Sequence, residues 1–214
     1  MSQETLYRPG ELIEHMEDIE AGEIIPYSIG GFGVALSLYG QPLVLQTPWC
    51  HAPFGVDIHH TDNNGKKYSV TVNLNDQNGE HNEFAIMLQK LDKTILGMAV
   101  QMKDSLFARE IKQLEQEFQR GYRTPTSDVF PHTFKMKVPV RYNRIDCSVF
   151  FRGQSKPIRI NNDLERYLIK GAKVRGIVQL SPVWFMKDRW GVSYKALQLE
   201  ISVPPQMRSP MFLK

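Results

Sequence analysis

From residue 83 to residue 107, apolar side chains recur at spacings of three and four: Phe84, Met87, Leu88, Leu91, Ile95, Met98, Ala99, Met102 and Leu106. That period predicts a long amphipathic helix. A further helix at 105–120 would turn Phe107, Ile111, Leu114 and Phe118 inward, with Gly121 as its stop. The methionine-rich stripe reads as core. On both sides of this block the chain breaks into short apolar or alternating runs joined by turns. "YSVTVNL" puts Tyr68, Val70, Val72 and Leu74 on one face, after "HHTDNNGKK" with its Asn-Gly hairpin turn. "HTFKMKVPVRYN" alternates Phe134, Met136 and Val138 against Lys135 and Lys137. A parallel α/β sheet needs a helix between successive strands, and here strands come in clusters. The expected class is α+β: a five-stranded antiparallel barrel with inserted helices and extra N-terminal strands.

Residues 1–25 read as a polar arm with one short helix, Pro9 at its start and Gly22 at its end. Residues 26–203 read as a single domain with a helical insertion at about 83–120, and 204–214, "PPQMRSPMFLK", as an extended tail. "GGFG" at 30–33 lacks the Gly-Lys-Ser/Thr of a phosphate loop and reads as a turn, a bulge or close backbone packing. No apolar run approaches the roughly 18 residues of a membrane span, so no membrane partner is expected. The N-terminus is too polar for a secretory signal, which makes Cys50 and Cys147 free thiols of a reducing, intracellular compartment.

The net charge of +3 conceals an asymmetry. Residues 1–119 hold 8 Lys and Arg against 17 Asp and Glu, a balance of −9. Residues 120–214 hold 18 against 6, a balance of +12. A basic C-terminal half fits a polyanion: nucleic acid, an anionic surface, or an acidic protein.

Enzyme chemistry has no motif to stand on. There is no Walker loop, no nucleophile elbow and no His-Glu-x-x-His, and nothing asks for a cofactor. Cys50, His51, His59 and His60 are metal-ligand types, but their spacing matches no zinc pattern. Single-stranded nucleic acid asks for cations along the phosphates and flat rings for the bases. The C-terminal half interleaves the two. "VRYNR" supplies Arg141, Tyr142 and Arg144, "FFRG" supplies Phe151 and Arg152, and "KVRG" supplies Lys173 and Arg175. The densest stretch, "SPVWFMKDRWGVSYKALQLEI" at 181–201, supplies Trp184, Lys187, Arg189, Trp190, Tyr194 and Lys195. Strand alternation splits this stretch. With Leu197, Leu199 and Ile201 inward, Trp190 and Tyr194 are expected outward. Of the adjacent pairs Trp184/Phe185 and Phe150/Phe151, one member each is expected in the core.

The segment "GAKVRGIVQLSPVWFMKDRWGVSYKALQLEI" resembles the C-terminal strand-hairpin-strand of the single-stranded DNA-binding proteins of nucleocytoplasmic large DNA viruses. Gly171 and Val174 are followed by Trp184, Phe185, Trp190, Gly191, Tyr194 and Lys195. The resemblance covers about 30 residues and extends over the β-rich region from 130 onward. It implies an OB-like barrel related to the phage-type single-stranded DNA-binding proteins. It also implies a non-catalytic, sequence-independent role in DNA replication, recombination and repair, in the host cytoplasm or viral factory or packaged in the virion. Replication or recombination proteins and a homo-oligomer are open as partners. So is RNA, since no feature reads a 2′-hydroxyl. The basic ending "RSPMFLK" departs from the acidic tail of the phage-type relatives. The competing expectation is a virion or assembly protein docking its basic half on an acidic partner.

Overall fold

The computed structural model describes residues 5–60, 65–74, 79–102, 111–127, 129–142 and 144–202. The alternating runs become strands as their period dictates. Tyr68, Val70, Val72 and Leu74 are buried on one side, and Phe134, Met136 and Val138 on the facing strand. These two strands, Lys66–Asn73 and Thr133–Val138, pair directly although the whole helical block lies between them in sequence. The block is therefore inserted between two paired strands. It contains α2 (Gly79–Gln101) and α3 (Ile111–Glu117), after the short N-terminal α1 (Pro9–Glu14). The stripe Phe84, Met87, Leu88, Leu91 and Ile95 is buried, and Phe84 meets Phe134 edge-on at 5.3 Å. Those methionines and leucines serve the core.

Among the described residues the principal sheet has nine strands. Its path runs Leu6–Tyr7, Val44–Gln46, Ala172–Leu180, Tyr194–Ser202, Thr133–Val138, Lys66–Asn73, Val56–His60. Cys50–Ala52 and Ser148–Phe151 pair beside this path. Two features differ from the antiparallel barrel expected. Tyr194–Ser202 runs parallel both to Thr133–Val138 and to Ser148–Phe151, because long crossovers separate them in sequence. Among the described residues the path also stays open, with Leu6–Tyr7 at one edge and Val56–His60 at the other.

A second sheet carries the extra N-terminal strands. Its order is Ile19–Pro26, Phe32–Leu38, Val183–Phe185, Trp190–Gly191, Phe118–Gln119, with Gln41–Pro42 on Phe32–Leu38. The N-terminal segment is more than an arm. Its helix does start at Pro9, but Leu12, Met16 and Ile19 are buried in the same core as α2. The apolar positions of an otherwise acidic stretch are what seat it. The expected tail, 204–214, lies outside the described residues, as does Asn64 of the Asn-Gly turn. Both cysteines are free thiols.

Candidate nucleic-acid interface

Two neighbouring cross-strand rows of the second sheet decide the fate of the C-terminal aromatics. In the first row Phe185 faces Phe32 on one side and Trp190 on the other, and Trp190 faces Phe118. The four rings form one stack: Phe32 to Phe185 at 4.8 Å, Phe185 to Trp190 at 5.1 Å, Trp190 to Phe118 at 4.2 Å. Trp190 is wholly buried, and its indole Nε1 donates to the Leu114 carbonyl at 2.8 Å. The expectation that Trp190 faces outward is thus corrected: its ring faces are already taken by Phe185 and Phe118.

In the second row Trp184 faces Gly33 and Gly191. No cross-strand side chain covers its ring, which stays half-buried at the wall of a groove of about 1110 Å³. Of the pair Trp184/Phe185, Phe185 is the core member. Tyr27 joins Trp184 at this wall. It reaches there because residue 33 is glycine: a Cβ at Gly33 would come within 2.3 Å of the Tyr27 hydroxyl. The "GGFG" stretch is a turn with close packing, as expected. Gly30 and Gly31 have φ of +88° and +81°, and Tyr27 N–H donates to the Gly31 carbonyl at 3.0 Å.

Tyr194 is the second correction. It is buried against Phe134 at 4.8 Å, with its hydroxyl 2.9 Å from where a Cβ on Gly121 would sit. The alternation rule fails at a β-bulge. Val178 faces Ala196 and Ile177 faces Gln198, so Leu197 is an extra residue in its strand. The parity of everything before it flips. Tyr194 and Ala196 share the inner side with Leu199 and Ile201, Leu197 is half-buried, and Lys195 turns outward.

Lys195 thereby joins the groove floor. It stands opposite Lys137 on the neighbouring strand, and Lys137 stands opposite Ser69. Lys66, Lys67 and Lys135 line the same groove. Two of these cations are tied to carboxylates: Lys66 to Glu165 at 3.3 Å and Lys135 to Asp57 at 3.8 Å. Among the described residues, Lys67, Lys137 and Lys195 have no such partner. Lys137 gives up its proton more easily than an ordinary lysine. Desolvation by its surroundings is the first cause, and repulsion from Arg123, Lys135 and Lys67 follows. An anion in the groove relieves that repulsion.

The remaining expected residues fall into other places. Arg141, Tyr142 and Arg144 occupy a small hairpin, Val140–Arg141 with Arg144–Ile145, whose first residue Val140 lines the groove. Tyr142 is 93% exposed at its turn, with φ of +49°. Lys187 and Arg189 lie exposed at the turn that closes the Trp184–Trp190 hairpin, off the groove. Phe151 is half-buried with Tyr167 at 6.3 Å. Phe150 is half-buried too, so neither member of that pair is fully core. Arg152, Lys173 and Arg175 belong to the far end of the principal sheet. His59 lines the groove, and His51 stands opposite Lys173. Tyr27, Lys67 and Lys137 line the groove and are missing from the expected set. Lys137 is visible in the alternation of "FKMKV", whereas nothing local marks Tyr27.

No family model and no curated protein sequence matches the chain. Its structure is similar to that of gp2.5, a single-stranded DNA-binding protein encoded by bacteriophage T7. The TM-score is 0.53 at 12% identity, covering 79% of this chain and 91% of that one. The single-stranded DNA-binding protein of bacteriophage Enc34 aligns at a TM-score of 0.43 and 10% identity, over 90% of this chain and 97% of that chain. Its C-terminal truncation aligns at 0.48 and 10% identity, over 86% and 95%. At such identities the likeness to gp2.5 is one of fold.

Proposed function

We propose that this chain binds single-stranded nucleic acid, DNA above all, without reading its sequence and without catalysis. The strand lies in the lysine groove. Phosphates meet Lys67, Lys137 and Lys195, and bases stack on Trp184 and Tyr27. The hairpin with Arg141, Tyr142 and Arg144 flanks the path and adds a ring at its tip. The observation that carries this reading is the juxtaposition of three lysines lacking carboxylate partners among the described residues with a tryptophan whose cross-strand neighbours are both glycines. The shared fold with gp2.5 supports it. So does the resemblance of residues 171–201 to the viral single-stranded DNA-binding family, from which a role in replication, recombination and repair follows as part of the same proposal. The open principal sheet then serves as the floor on which the strand lies.

Titration of tryptophan fluorescence with oligo-dT at two salt concentrations, beside a duplex of equal length, tests this. The expected result is quenching, preference for the single strand, and log affinity falling with log salt at about 0.7 per phosphate held. Absence of quenching, indifference to salt, or equal binding of the duplex contradicts it. The last outcome favours an acidic surface as the partner of the basic face.

A further inference from the structure

The outer face of the principal sheet continues beyond the groove. Along Tyr194–Ser202 and its neighbour Ala172–Leu180, the outward residues pair in rows: Lys195 with Gln179, Gln198 with Ile177, Glu200 with Arg175. From Lys195 to Glu200 is roughly 15 Å at the rise of a strand. A smaller hollow of about 220 Å³ follows, with Gln46, Gln154 and Gln198 beside Phe150 and Ile177 and with Arg175 and Glu200 in its lining. At its end stands Trp49, half-buried, with the guanidinium carbons of Arg152 and Arg175 at 5.1 and 5.2 Å from its ring centre. Glu200 accepts from Arg175 Nε at 3.1 Å and from the Gly153 amide at 3.2 Å, so Arg175 has a carboxylate partner and, among the described residues, Arg152 is the guanidinium left for a phosphate. Lys173, exposed, is the next outward residue beside Arg175. Trp49 and Arg175 also form one side of a further cleft, whose other charged residues are Arg8 and the four glutamates Glu11, Glu14, Glu80 and Glu83.

We infer that Arg152, Trp49 and Arg175 form a second, terminal contact for the same nucleic-acid strand. This rests on the groove reading above and extends it. A strand leaving the lysines crosses the glutamine hollow, whose amides suit sugar and base edges, and reaches two guanidiniums held in place by an indole. Cations fixed in this way lose little freedom on binding, and their planes accept a stacked base as readily as a phosphate. The four glutamates then end the path, because a polyanion gains nothing by going further. The binding track has a fixed length with one acidic stop.

Length dependence separates this from the groove alone. Oligo-dT of about 4 and of about 16 nucleotides, the range that single-strand-binding domains occupy, is titrated against wild type and against Arg152→Ala, Trp49→Phe and Lys137→Ala. Arg152→Ala changes an exposed side chain and leaves the core untouched. The expected result is about tenfold weaker binding of the long oligonucleotide to Arg152→Ala, a smaller loss for Trp49→Phe, and no change for the short one. Lys137→Ala weakens both. Long-oligonucleotide affinity unmoved by Arg152→Ala, or equal losses at both lengths, overturns the second contact and leaves the groove standing. A wild-type protein that binds neither length overturns the groove and the track together.

Discussion

Two adjacent rows of one small sheet have opposite fates. Phe32, Phe185, Trp190 and Phe118 stack face to face, the last three buried and Phe32 half-buried at the end of the row. One residue along, Gly33, Trp184 and Gly191 leave a single indole at a groove wall. The residue types on Val183–Phe185 and Trp190–Gly191 do not separate the two rows. The residues opposite them do. An aromatic flanked by aromatics satisfies its own ring faces, and each such pair adds about 0.5–1.5 kcal/mol to burial. An aromatic flanked by glycines keeps a face for a ligand. Aromatic density in a sequence therefore says less about binding than cross-strand partnership does.

The sharpest way to break this comparison is truncation on each side. Trp190→Ala removes the middle of the stack and the bond to the Leu114 carbonyl, and should cost about 3–5 kcal/mol of stability in denaturant unfolding. Trp184→Ala should cost far less. A Trp184→Ala variant as unstable as Trp190→Ala would make both tryptophans structural and dissolve the distinction.

The buried side has a second handle in Asp92. Its carboxylate accepts from the Gly121 and Tyr122 amides at 3.0 Å each, beside the buried Tyr194. Burial pushes its pKa up from 3.8 to about 6, against the pull of those two amides. The folded chain therefore binds more protons than the unfolded chain between pH 4 and pH 6. Stability falls as pH rises through that window, by on the order of 3 kcal/mol. Unfolding midpoints between pH 4 and 7 should show this slope, and Asp92→Asn should flatten it. A variant with the slope unchanged assigns it to other groups.

On the wet side the smallest change is Gly33→Ala. Its Cβ would lie 2.3 Å from the Tyr27 hydroxyl and 3.1 Å from Pro182 Cβ, so Tyr27 must leave its place beside Trp184. Single-strand affinity should drop by about 1 kcal/mol, the lower end of one stacked base, with stability little altered. Undiminished affinity would remove Tyr27 from the site.

These contrasts also mark how far the sequence can be read. Period two makes Tyr68, Val70 and Val72 legible as one buried row, and Phe134, Met136 and Val138 as another. Period three to four does the same for α2. Both are local. The bulge at Leu197 is not, since no residue type announces it, and one extra residue inverts the expected side of Tyr194. The burial of Trp190 depends on Phe32 and Phe118, which come from distant stretches. Tyr27 and Trp49 are isolated aromatics brought to basic surfaces only by strand pairing. Charge asymmetry points to the basic half and spreads attention over its whole length, whereas the groove also takes Tyr27, Lys66 and Lys67 from the acidic half. Pairing then divides that set into a groove, a flanking hairpin, a far patch and a core.

The central claim is that Trp184, and not Trp190, meets the bases. Fluorescence of Trp184→Phe and Trp190→Phe titrated with a short oligo-dT tests it most directly. Quenching should disappear in Trp184→Phe and persist in Trp190→Phe. Quenching that survives in Trp184→Phe, or is lost in a folded Trp190→Phe, would contradict it.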